Sequence, residues 1–291
     1  TLVCAMAYLY LGMSVFDATA HAMTTISTGG FANYDASFAT FAGPMEYVAA
    51  VFMILAALPF VRYVQLVNGN PVALRRDPQV RGFILTIAVL VLLLVVLLEE
   101  GVHMSNEQAI REALFNVTSI ISGTGFASVD YMQWGSFAIA LFFFMGLIGG
   151  CAGSTACSVK VFRYQLLFAS IRAQLRRIRS PHGIFTPRYD GRPVSEEVLA
   201  SVMTFFMFFV LTLGVVSVAL SMTGLDFITS VSGAATAVAN VGPGLGDIIG
   251  PAGNFAPLND AAKWILTLAM LVGRLELMVV YVLFTVKFWR A

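Results

Sequence analysis

Charge is scarce in this 291-residue sequence. Asp, Glu, Lys and Arg make up only 11% of it, where a soluble domain carries about a quarter. With a mean hydropathy of +0.84, that scarcity excludes an ordinary water-solvated globule and points to lipid as the main solvent. Cysteine is also rare. Cys4, Cys151 and Cys157 lie among apolar or small residues, in neither a disulfide framework nor a metal-ligand spacing, and Cys151 and Cys157 read as packing residues. His21, His103 and His182 are isolated, and no Ser/His or paired-acid arrangement is present, so an enzyme is not indicated. There is no initiator Met and no charged leader, so the sequence does not open on a signal peptide. It opens partway along an apolar helix, Leu2–Met13, and we expect further sequence upstream.

What is abundant is apolar length. Tyr47–Val67, Phe83–Leu98, Phe137–Gly149, Leu199–Gly224 and Trp264–Val286 are long apolar runs. A helix of about 20 apolar residues crosses a hydrocarbon core of roughly 30 Å; the third run is short but continues into small residues.

Three segments align without gaps around a glycine. They are Thr24-Thr25-Ile26-Ser27-Thr28-Gly29-Gly30-Phe31, Ser119-Ile120-Ile121-Ser122-Gly123-Thr124-Gly125-Phe126 and Thr236-Ala237-Val238-Ala239-Asn240-Val241-Gly242-Pro243. Each has a hydroxyl residue six positions before the aligned glycine and an acid five positions after it: Asp35, Asp130 and Asp247. A short helical stretch precedes each glycine, at Ser14–Ser27, Asn106–Ser122 and Leu225–Ala239, the second opening on the start signal Ser105-Asn106-Glu107-Gln108. The unit is helix, half-helix, glycine-bearing extended loop, helix.

Such a loop at membrane depth survives only where protein buries it or water lines it. Glycine lets carbonyl oxygens turn toward one axis, and rings of carbonyls can replace the hydration shell of a potassium ion. The half-helices aim their negative C-terminal ends at the cavity below, which favours a cation. The alternative for any one copy is an ordinary helix-breaking turn; the offsets shared by all three copies argue against it.

Basic residues fix the orientation. Arg62, Arg75, Arg76 and Arg81 lie between the first and second units. Lys160, Arg163, Arg172, Arg176, Arg177, Arg179, Arg188 and Arg192 lie between the second and third, and Lys287 and Arg290 close the chain. These faces read as cytoplasmic. Acids gather on the opposite side, where Asp35, Asp130 and Asp247 are candidates for a ring that concentrates cations at an outer mouth. Solvated loop carboxylates are the alternative. All three units start and end on the same side, unlike the inverted repeats of a secondary transporter that holds solute on broken helices.

Ser27-Thr28-Gly29-Gly30-Phe31, Ser122-Gly123-Thr124-Gly125-Phe126 and Asn240-Val241-Gly242-Pro243-Gly244 resemble pore loops of the Trk/Ktr/HKT superfamily of potassium transporters, in particular its bacterial TrkH-type subunits. The resemblance extends over the whole chain, including Gly149-Gly150-Cys151-Ala152-Gly153-Ser154-Thr155-Ala156-Cys157 and Gly273-Arg274-Leu275-Glu276. It implies an all-α integral membrane protein of tandem helix–pore loop–helix repeats, with a potassium-channel-like, pseudo-symmetric pore built from four units. This chain matches the second unit in residues 1–67, with its leading helix shortened, the third in 81–180 and the fourth in 195–291; cytoplasmic loops span 68–80 and 181–194. The resemblance further implies a filter at Thr28–Phe31, Gly123–Phe126 and Asn240–Pro243, with potassium as the transported ion and no covalently bound cofactor. Glycine at all three aligned positions favours potassium; a sodium-conducting or sodium-coupled member of the superfamily is the alternative. Homodimerisation in the bacterial cytoplasmic membrane and a cytosolic TrkA-like nucleotide-binding regulatory subunit are also implied, and nucleic acid is not.

Two further features bear on gating. Gly149, Gly150, Gly153 and Ser154 belong to a stretch, 149–158, too rich in glycine for a regular helix, since each glycine costs about 1 kcal/mol relative to alanine. TrkH-like proteins use the corresponding segment as an intramembrane gate; a small-residue helix contact is the alternative. Arg274 lies 14 residues after Asp260, roughly 21 Å along a helix, deep enough that a charge there is a functional candidate. We expect it below the filter, against the 149–158 loop, as a barrier to cations; an ion pair with Glu276 is the alternative. The basic, partly amphipathic stretch Phe162–Arg179 is compatible with the membrane surface, with a regulatory subunit or with a solvated helix extension.

Overall fold

A computed structural model describes all residues except 102, 103, 276, 284 and 291; His103 and Glu276 therefore lie outside the described residues. In chain order the helices are α1 (Leu2–Tyr10), α2 (Val15–Ile26), α3 (Pro44–Ala56), α4 (Phe60–Val67), α5 (Pro71–Arg76), α6 (Pro78–Gly101), α7 (Asn106–Ser122) and α8 (Ser136–Gly146). They continue with α9 (Val161–Arg179), α10 (Glu196–Ser221), α11 (Phe227–Ala239), α12 (Asp260–Arg274), α13 (Leu277–Leu283) and α14 (Val286–Arg290). Helix dominates, as composition implies. Among the described residues the strands form one hairpin, β1 (Arg188–Tyr189) and β2 (Arg192–Pro193), turned through Asp190 and Gly191, both at positive φ.

The long apolar helices α6 and α10, of 24 and 26 residues, extend for roughly 36–39 Å and cross a bilayer. The apolar run Tyr47–Val67 does not form one straight span. It breaks after Ala56, and α3 and α4 meet at 89°. Pro59 is the cause: it supplies no backbone N–H and its ring clashes with the preceding turn. The run at the C-terminal end is likewise divided, between α12 and α13.

Helices α2, α7 and α11 have 12, 17 and 13 residues, too short to cross. Each begins with the same device. Ser14 accepts a hydrogen bond from Asp17 N (3.1 Å), Ser105 from Gln108 N (3.3 Å) and Asp226 from Thr229 N (3.1 Å), satisfying N–H groups the first turn leaves unpaired. At Asp226, hydrogen bonds from the Thr229 side chain and then its backbone N–H hold the carboxyl below its ordinary pKa. Each half-helix packs between the helices before and after it: α2 between α1 and α3, α7 between α6 and α8, α11 between α10 and α12.

The helix after one loop also packs on the half-helix of the next unit, α3 on α7 and α8 on α11, so the units are arranged in sequence around one centre. At the first junction a partly buried charge cluster joins the units: Arg111 of α7 bonds Glu46 at the start of α3 and reaches the exposed Glu107 at 3.2 Å. Glu46 is wholly buried and also accepts from Gly43 N at 2.9 Å. An apolar core runs from α6 through α7, α8, α10, α11 and α12, and a smaller one joins α1, α2 and α3 behind the first loop.

A candidate cation pathway

The half-helices end alike. The residue two places before each aligned glycine, Thr28, Gly123 or Asn240, is left-handed, with φ of 50°, 74° and 54°. Asn tolerates this conformation and Gly adopts it freely, but a β-branched Thr is strained there, and such strain concentrates at functional sites. The aligned glycines themselves have φ of 64°, 82° and 119°, so the helix is stopped and the chain reversed by the same two-residue pattern three times.

The hydroxyls six positions earlier hold the loops back against their helices. Thr24 Oγ1 donates to the Phe31 carbonyl (2.9 Å) and Ser119 Oγ to the Phe126 carbonyl (2.6 Å), while Thr236 Oγ1 accepts from Gly242 N (2.8 Å). The third bond runs one residue earlier and in the opposite sense, the hydroxyl accepting from the aligned glycine's N–H. Ser119→Ala removes a fully buried donor and leaves the Phe126 carbonyl unpaired. The expected destabilisation is about 1–3 kcal/mol, read as a lower melting temperature of the full-length protein, with Ser119→Thr restoring much of it.

Neighbouring loops touch through backbone. A Cβ added to Gly30 would strike the Thr124 carbonyl oxygen, and one on Gly125 would strike that of Val241. Both carbonyls belong to the residue just before the next loop's aligned glycine, so one contact recurs from loop to loop. Thr124 and Val241 are buried, and Thr124 Oγ1 bonds Ser122 Oγ at 2.8 Å. The Phe126 ring is buried behind the loop, 5.9 Å from the His21 ring and 5.2 Å from that of Phe38, whereas Phe31 is exposed. Gly29 and Pro243 complete the loops and are partly exposed.

Between the first and third loops lies an open cavity of about 590 Å³, lined by Ser27, Thr28, Gly29, Phe31, Asn240 and Gly242 above and by Thr267, Met270 and Arg274 on α12. Helix α12 lies hard against the third loop: Gly273 has no room for a Cβ beside the Val238 carbonyl and the Asn240 side chain, and Asn240 Nδ2 donates to the Met270 carbonyl at 3.0 Å. Asp35, Asp130 and Asp247 lie elsewhere. Asp35 and Asp247 are exposed, and Asp130 caps the short 3₁₀ turn Tyr131–Trp134, accepting from Met132 N at 3.1 Å. None of the three lines that cavity.

Below the loops, residues 149–160 form irregular backbone between α8 and α9. The break between α3 and α4 supplies hydrogen-bond partners to Cys151, Gly153 and Thr155. Cys151 N donates to the Ala57 carbonyl (3.0 Å), Thr155 Oγ1 to that of Ala56 (3.1 Å), and Phe60 N donates to the Gly153 carbonyl (2.9 Å). Two further bonds, Ala152 N to Gln79 Oε1 (2.8 Å) and Ser154 Oγ to the Cys151 carbonyl (2.7 Å), complete the stitching. A helix broken by Pro59 thus exposes the carbonyls that an unwound neighbour needs. Gly149, at φ 78°, has no space for a side chain beside the Cys157 carbonyl, and Gly150 none beside Ala156.

Arg274, at the end of α12, donates to the Thr155 carbonyl at 3.3 Å and contacts Cys157 Sγ. A second cavity of about 370 Å³, lined by Ser154–Ser158, Lys160, Arg163 and Gly273, lies on the far side. Arg274 lines both cavities, and loop residues Ser154–Ser158 line the second. Gln79, Pro59 and the caps Ser14 and Asp226 escaped the sequence reading; the proline within an apolar run and the Ser/Asp preceding each half-helix were the available signals.

A family model described as TrkH, cation transport protein, matches residues 2–290. The Trk system potassium uptake protein TrkI of Halomonas elongata is 47% identical over the whole chain, and TrkH of Escherichia coli strain K12 is 35% identical. The crystal structure of the potassium transporter TrkH from Vibrio parahaemolyticus has a TM-score of 0.93 at 33% identity, covering 99% of this chain. The chain spans about 60% of the length of these relatives. Its apolar spanning helices and its relatives, which are transport proteins and not enzymes, make it a multi-pass integral membrane protein. The chain belongs to the TrkH family of cation transport proteins.

Proposed function

We propose that this chain supplies three sides of a pore for potassium uptake, with carbonyls of Thr28–Phe31, Gly123–Phe126 and Asn240–Pro243 replacing the ion's hydration shell. One observation carries this reading: three loops with the same left-handed pair of residues, two of them seated on the next loop's carbonyl at an aligned glycine. No side chain could occupy those contacts, so the loops are held at backbone distance, as a carbonyl filter requires. Half-helix C-termini at Ser27 and Asn240 border the large cavity and make it favourable for a cation. The names of the relatives, potassium uptake proteins of Trk systems, agree with this ion.

In this reading the 149–158 loop and Arg274 form the gate: the loop closes the path from the upper cavity to the lower, and the guanidinium repels cations that reach it. Asp35, Asp130 and Asp247, outside the cavity, attract cations to the outer mouth. The protein works as a homodimer in the bacterial cytoplasmic membrane, with a cytosolic TrkA-like nucleotide-binding subunit controlling the gate. The test is growth of a potassium-uptake-deficient bacterium on low potassium. The full-length protein with its regulator rescues growth; failure to rescue at verified membrane expression overturns the reading.

A further inference from the structure

Helix α9 leaves the gate loop and runs past the ends of two membrane spans. It packs on α6 and α10, and Gln165 Nε2 donates to the carbonyl of Pro78, the first residue of α6, at 2.7 Å. From this level onward α9 exposes Phe168, Ile171, Leu175 and Ile178. Their 3-4-3 spacing puts them within about 80° of helix surface at 100° per residue. Arg172, Arg176 and Arg179 occupy the adjoining sector, and α9 contains no Asp or Glu.

Beyond the arginines the small residues Ala169 and Ala173 leave room for the segment 184–188. Helix and segment enclose a groove of about 410 Å³ into which Arg172, Arg176 and Arg188 converge, with Ile184 and Phe185 at its wall. Ile184 is 95% exposed. Among the described residues, none of these three arginines has an ion-pair partner.

An apolar stripe beside a cationic rim is the pattern of a helix lying in a membrane interface, its long basic side chains reaching to the headgroups. Guanidinium forks match phosphate oxygens in geometry and charge. The cytoplasmic leaflet also presents anionic lipid, which attracts basic residues near the surface. We propose that the groove binds the phosphodiester headgroup of an anionic phospholipid, held by Arg172, Arg176 and Arg188, with its acyl chains along Phe168, Ile171, Leu175 and Ile178. The site rests on membrane embedding and not on which ion the pore conducts.

The test is native mass spectrometry of the purified full-length protein titrated with phosphatidylglycerol or acyl-matched phosphatidylcholine. Wild type is expected to retain phosphatidylglycerol preferentially. The exposed triple substitution Arg172→Gln, Arg176→Gln, Arg188→Gln is expected to lower that retention at least about tenfold, to the phosphatidylcholine level, with the melting temperature kept. Arg177→Gln, on the far side of α9 from the stripe, is expected to leave it unchanged, and Leu175→Ser to weaken both lipids. Equal retention of the two lipids by wild type, or an unaffected triple variant, overturns the proposal. Displacement of bound lipid by an equal concentration of inorganic phosphate assigns the groove to a soluble phosphate instead. If the triple variant keeps phosphatidylglycerol but loses a cytosolic protein partner, the groove is a protein interface. Potassium uptake is not the readout, so failure here leaves the pore reading standing.

Discussion

Gly125→Ser is expected to lower potassium uptake by roughly 10²-fold while the protein remains in the membrane. Gly125 has φ of 82°, where an L-residue costs about 1–2 kcal/mol. The larger effect is steric. The new Cβ would occupy the position of the Val241 carbonyl oxygen and press on Pro243, and overpacking of this kind costs about 1–3 kcal/mol. Together these strains amount to about 3 kcal/mol, or roughly 10²-fold in the population of the competent loop arrangement at 1.4 kcal/mol per decade. Gly135→Ala separates the two terms. Gly135 has φ of 94° but open space around its Cα, so only the backbone strain applies and uptake should persist. Rubidium-tracer uptake at matched expression checks both; equal uptake by Gly125→Ser and wild type would remove Gly125 from the filter.

Arg274→Ala should have the opposite sign: flux without activation rises by roughly 10²-fold. A cation passing about 5 Å from the guanidinium meets a barrier of roughly 3 kcal/mol at an effective dielectric of about 20. The substitution also frees the Thr155 carbonyl and Cys157 from their contact with α12, loosening the loop that lines the second cavity. Arg274→Lys keeps the charge but not the planar fork, so its leak should fall between wild type and alanine. Leak through proteoliposomes holding the full-length protein alone is the measurement. Unchanged flux in Arg274→Ala would show that neither charge nor contact restrains conduction.

Sequence exposes this fold unevenly. Helices α6 and α10 are legible because lipid demands one continuous apolar run for each span. The half-helices are legible because their pattern repeats, and the hydroxyl offset shared by Thr24, Ser119 and Thr236 has a structural cause in the bonds that tether each loop. Hydropathy fails at Tyr47–Val67, where Pro59 turns the chain through a right angle without interrupting its apolarity. The use made of that break was also hidden. Ala56 and Ala57 carry no distinctive side chain, and what they offer the 149–158 loop is their carbonyls. Backbone partners 94 or more residues away leave no spacing to read. The acids show the converse. Asp35, Asp130 and Asp247 share an offset, yet Asp130 caps a 3₁₀ turn and the other two are exposed, because equal register in a loop does not impose equal surroundings.

The most direct test of the proposed carbonyl-lined potassium pathway is the flux of potassium against sodium through the full-length protein in proteoliposomes, with conduction released by Arg274→Ala. Potassium flux exceeding sodium flux by at least about tenfold, with the ratio falling toward one in Gly125→Ser, is the predicted result. Equal permeation of both ions with Gly125 intact, or a ratio untouched by Gly125→Ser, would contradict it.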